Sequence, residues 1–120
     1  MTPTLWKLLA LGLICLGELL MISAELLSAR NFGASATRSF VEVFPGMLLI
    51  MIIGATLLLS GYMVGYRAFQ NIWIVSAISI TSILLIEPAL AFALFRQIPT
   101  RGALLGLIFG TAGFASALFL

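Results

Sequence analysis

The sequence predicts an all-α integral membrane protein, a bundle of four transmembrane helices, and three observations lead there. Of the 120 residues 62% are hydrophobic and only 8% charged. Mean hydropathy is +1.24. Apolar runs at about 5–27, 46–66, 71–95 and 102–120 each come close to the ~20 residues a helix needs to cross a ~30 Å hydrocarbon core. They use nearly the whole chain, so residues 1–120 are expected to form a single membrane domain with no soluble one. No run alternates as a strand would.

The first span, about 5–27, carries Lys7 near its start with an apolar run after it, and could be mistaken for a secretory signal. It is longer than a signal core, carries Glu18 and Glu25, and closes on no convincing small-x-small cleavage site, so it is expected to remain as a helix. Glu18 lies near its middle. An acid there costs on the order of 3 kcal/mol on insertion scales, and so it normally faces protein or water and has a task. That task is either chemistry or a hydrogen bond that glues helices together. Glu25 follows seven residues later, two turns on, which puts both acids on nearly one face about 10 Å apart. It is a candidate entry point for a cation, or a residue at the helix end paired with Arg30.

The connection 28–44 mixes Arg30, Arg38 and Glu42 with Phe32, Phe40, Val41, Val43 and Phe44. It reads as an interfacial segment, as a docking surface for a partner, or as an ordinary membrane-edge loop. The second span, 46–66, carries Gly54, Gly61 and Gly65, small residues suited to packing within the bundle. Short connections around Arg67–Asn71 and Arg96–Arg101 make the second, third and fourth spans antiparallel to their neighbours and put both termini on one side. Arg30, Arg38, Arg96 and Arg101 face one side against Lys7 and Arg67 on the other, a small bias that the positive-inside rule reads as both termini outside and that a protein inserting in both orientations would also show.

The third span, 71–95, is the most polar. Trp73, Ser76, Ser79, Thr81 and Ser82 line it, and Glu87 and Pro88 interrupt it. Proline withholds a backbone donor, so a kink is expected there. The hydroxyls form either a solvated path toward Glu18 or bonds back to their own helix. Glu87 is a second candidate acid, or a neutraliser of Arg96 or Arg101. In the fourth span Gly102, Gly106 and Gly110, continued by Gly113 and Ala117, make a helix-packing face. The spacing leaves its partner open: another helix of the chain, a second copy, or a different subunit.

The chain has no histidine and one cysteine, Cys15, so no metal site and no cofactor is expected. No nucleophile with an adjacent base and no nucleotide loop appears, which argues against an enzyme. Nothing suggests a nucleic-acid partner.

Ile86 to Gly113, IEPALAFALFRQIPTRGALLGLIFGTAG, resembles the last two helices of a drug/metabolite transporter half. Glu87, Pro88, Thr100, Gly106 and Gly113 match that pattern, while Arg96 and Gln97 stand where its Gly-Glu turn would be. Glu18 is similar in position to the essential glutamate of the four-helix small multidrug resistance branch. Trp73 matches the tryptophan that helps line that family's aromatic cation pocket, and Gln70 replaces the tyrosine that often precedes it.

The resemblance implies a drug/metabolite transporter-like bundle in a bacterial inner membrane. It would work as a homodimeric antiporter that exchanges protons for a small cationic or polar compound at Glu18, with Trp73 lining the site; the placement of Glu25, Glu87, Ser76 and Ser79 adds them as further candidate proton- or substrate-binding positions. Two alternatives stay open. One is a flippase subunit for polyprenyl-linked sugar lipids, with the arginines meeting lipid phosphate; the other is a non-transporting accessory subunit of a larger membrane complex. Membrane lipid is a partner in every case.

Overall fold

The computed structural model describes residues 2–34 and 37–120, without the side chains of residues 117 and 118. Among the described residues it is all-helical, with α1 at Pro3–Ser28, a π-helical turn at Ala29–Gly33, α2 at Phe40–Phe69, α3 at Ile72–Phe95 and α4 at Arg101–Phe119.

Each α-helix starts at a short polar side chain that takes up an orphan N–H. Thr2 accepts from the Leu5 amide at 3.3 Å, with Pro3 pre-set in the first turn. Ser39 accepts from Glu42 at 3.3 Å, Asn71 from Trp73 at 2.9 Å and Thr100 from Ala103 at 3.1 Å. The ends of α2 and α3 turn through left-handed residues, Gln70 at φ 56° and Arg96 at φ 55°. Each of these two donates its own N–H back to a carbonyl of the last turn, Tyr66 and Phe92 respectively.

The second helix begins earlier than the apolar run suggested. Ser39 followed three residues later by Glu42 is a capping-box spacing, and it recruits Phe40–Phe44 into α2. Pro45 then lies inside the helix, without an N–H for the Val41 carbonyl. The expected connection 28–44 is thus largely helical, and α1 runs on into the π-helical turn. Its phenylalanines cluster: Phe32 meets Phe40 edge-on at 5.9 Å and Phe40 stacks on Phe44 at 4.8 Å. Pro88 does not end α3, which continues to Phe95.

Three stretches, Pro3–Gly33, Phe40–Phe69 and Ile72–Phe95, are long and apolar enough to cross a membrane, with mean hydropathy 2.0, 2.3 and 2.0. α4 is shorter, and its 19 residues reach about 28 Å at 1.5 Å per residue.

The core is the seam between α1 and α2. Apolar side chains gain nothing by leaving lipid, so helices associate where small residues let backbones approach and make dense contacts. Gly17 faces the backbone of Gly54 and Leu58, Gly54 faces Leu20 and Met21, Gly61 faces Ile14, and Gly65 faces Ala10 together with Val75 of α3. Positions rise along α1 as they fall along α2, so the pair is antiparallel. Lys7 over the Phe69 ring at 5.5 Å fastens one end of it. The α2 glycines therefore pack within the bundle as their spacing predicts, and Gly17 is a seam residue the sequence reading did not single out.

α3 packs on both helices of this pair, and α4 packs mainly on α3. Gly102, Gly106, Gly110 and Gly113 have nothing within 4 Å of where a Cβ would stand. The packing face predicted for the fourth helix is left uncovered by the described residues, and the Ala117 side chain lies outside them.

Candidate functional site

Two rungs of polar groups join α1 to α3. Cys15 and Glu18 are three residues apart on α1, and Ser79 and Ser82 are three apart on α3, so each pair shares a helix face. Ser79 Oγ donates to Glu18 Oε1 at 2.5 Å, and Cys15 Sγ lies 3.3 Å from Ser82 Oγ. The Ser82 hydroxyl also donates to the Ile78 carbonyl at 2.8 Å. Having one hydrogen to give, it serves Cys15 as acceptor, and the thiol is the donor.

Glu18 is buried, 6% exposed, and Ser79 is 4% exposed. Among the described residues no buried side-chain polar atom lacks a hydrogen-bond partner. The Ser79 hydroxyl gives the carboxyl a neighbour that can donate to the anion or, after rotating, accept from the acid. Either protonation state therefore keeps its partner. Beside the Cys15–Ser82 rung a cleft of about 500 Å³ opens between α1 and α3, with Leu11, Cys15, Thr81 and Ser82 among its lining residues and the Glu18–Ser79 rung behind them.

The other candidate positions are dispersed. Trp73 stands in the first turn of α3 at 80% exposure, so its ring does not wall a pocket around Glu18. Ser76 is half-buried on α3, one turn before Ser79. Glu25 is exposed, and among the described residues it makes no ion pair with Arg30. Glu87 is half-buried and faces a different cleft, between α3 and α4, without an ion pair to Arg96 or Arg101. Cys15, which the sequence did not mark as a site residue, and Ser82, marked only as one of the hydroxyls lining the third span, belong to the rungs. The signal for them was the three-residue step from Glu18 and from Ser79.

The two serines should respond differently to truncation. Ser79→Ala strips a buried carboxyl of its partner and is expected to cost about 1–3 kcal/mol. Ser82→Ala removes a hydroxyl that bonds mainly to its own helix and should cost under about 1 kcal/mol. Thermal unfolding of both variants in one detergent checks the order.

Compared with models of known protein families, with curated proteins and with solved structures, the chain finds no match in any of the three.

Proposed function

We propose that this chain is a small proton-coupled transporter of a bacterial inner membrane, resembling the small multidrug resistance family. It exchanges protons for a small cationic or polar compound at Glu18 and works as a homodimer. The observation that carries this reading is a buried carboxyl in mid-helix whose hydroxyl partner suits both of its protonation states, one rung away from a cleft between the same two helices that Cys15 and Ser82 line. Deprotonated Glu18 attracts cargo, protons from the opposite side displace it, and alternating access comes from one copy rocking against the other.

The test uses purified protein in proteoliposomes with an imposed pH gradient and a fluorescent cationic dye as cargo. Wild type is expected to accumulate the dye only when the gradient is present, and Glu18→Gln to fall to the level of empty vesicles. Gradient-driven uptake that survives Glu18→Gln would falsify the mechanism.

A second reading, an accessory subunit of a larger membrane complex, draws on the open glycine face of α4. Native mass spectrometry of the protein gently extracted from its own membrane separates the two. A homodimer supports the transporter; a larger assembly containing other chains supports the subunit, with Glu18 as a packing residue.

A further inference from the structure

A cleft of about 680 Å³ separates the C-terminal half of α3 from α4. Leu84, Phe92 and Phe95 supply much of its α3 wall, and Gly106 lets an occupant approach the α4 backbone closely. Only two helices border it, so its remaining side faces the bilayer. Its α3 wall runs from Ile83 to Phe95, twelve steps of 1.5 Å or about 18 Å. That is close to the depth of one leaflet, about half of the ~30 Å hydrocarbon core.

Gln97 and Thr100 line the mouth, and the residues flanking that link are Arg96 and Arg101, both exposed. No lysine or arginine lines the cleft below them, and its one acid, Glu87, lies eight residues or about 12 Å before the end of α3. Positive charge thus collects at the headgroup level above an apolar slot of acyl-chain length. Basic pockets of this kind between membrane helices suit anionic lipid headgroups.

We infer that the α3–α4 cleft is a binding site for an anionic phospholipid, with its phosphate at Arg96 and Arg101 and an acyl chain along Leu84, Phe92 and Gly106. The site is independent of Glu18 and of any transport. It also fills the space that leaves α4 thinly packed on the rest of the chain.

Native mass spectrometry of the full chain, in mixed micelles holding equal amounts of phosphatidylglycerol and phosphatidylcholine with identical chains, tests the site. Wild type is expected to retain phosphatidylglycerol over phosphatidylcholine by on the order of ten-fold. The double variant Arg96→Gln, Arg101→Gln should bring that ratio close to one, while Arg30→Gln, Arg38→Gln, which removes two charges from the same end of the bundle, leaves it unchanged. Ala103→Trp, which fills the cleft without altering charge, should lower retention of both lipids. Glu87→Gln should retain the preference.

Equal retention of the two lipids by wild type overturns the proposal, as does a preference that survives loss of Arg96 and Arg101. So does a preference that disappears with Arg30 and Arg38, or retention that Ala103→Trp leaves intact. If Glu87→Gln alone abolishes retention, the cleft belongs to a cationic occupant held by that carboxylate, and the lipid assignment is wrong.

Discussion

Gly17→Ala will destabilise the protein by about 1–3 kcal/mol, the cost of overpacking a tight site, although alanine is the better helix former. A Cβ on Gly17 would stand 2.7 Å from the Leu58 nitrogen and 2.9 Å from the Gly54 oxygen. Both are backbone atoms that cannot rotate away, so α1 and α2 must separate along the seam that forms the core. Gly61→Ala meets Ile14 at 2.7 Å through its flexible Cγ1 and at 2.9 Å through its backbone nitrogen, and should cost nearly as much. Gly65→Ala, 3.2 Å from a Val75 methyl, should cost less. Gly12, Gly106 and Gly110 have open space where the methyl would go, so their alanine variants should be neutral or gain up to about 1 kcal/mol of helix propensity. Denaturation of the series in mixed micelles, followed by circular dichroism, reads this ranking. Equal effects at Gly17 and Gly12 would mean that the close approach of α1 and α2 is not what holds the fold.

Glu18 is expected to separate stability from transport. Glu18→Gln keeps the shape and a carbonyl oxygen able to accept from Ser79, so unfolding should change by less than about 1 kcal/mol. Gradient-driven uptake should nevertheless fall to background, because an amide cannot bind and release the proton that exchange needs. Glu18→Ala should lose uptake as well, and should also lose about 1–3 kcal/mol by leaving the buried Ser79 hydroxyl unpaired, with a further cavity cost. Measuring both quantities on both variants is decisive. If Gln preserves uptake while Ala destabilises, the carboxyl is a helix-to-helix hydrogen bonder and the transport reading is lost.

The Ser39-x-x-Glu42 spacing is a local signal for the start of α2, and it lies outside the apolar run of 46–66 from which the second span is predicted. A helix tolerates Pro45 early in its course, where one missing hydrogen bond is its main cost. Glu18 was identifiable as a lone acid in an apolar run. Its partner was not, since one periodicity puts Ser76, Ser79 and Ser82 all on a face of α3 and leaves open which of them meets α1. Trp73 looked like a pocket residue by analogy of position, yet its ring lies outward.

Helical spans, their order, their caps and the alternation of their directions follow from local rules, because hydrophobic length, capping side chains and short turns each act within a few residues. Which faces touch is a different matter. Two helices carry glycine faces of similar spacing, and only the packed chain shows that α2 spends its own on α1 while α4 keeps its own free. Backbone approach depends on the complementary shape of a partner distant in sequence, Gly17 against Leu58 and Gly61 against Ile14, and no window along one helix contains that partner. The same holds for the pairing of Glu18 with Ser79 and for the cleft beneath Arg96 and Arg101. Both are properties of two helices held side by side.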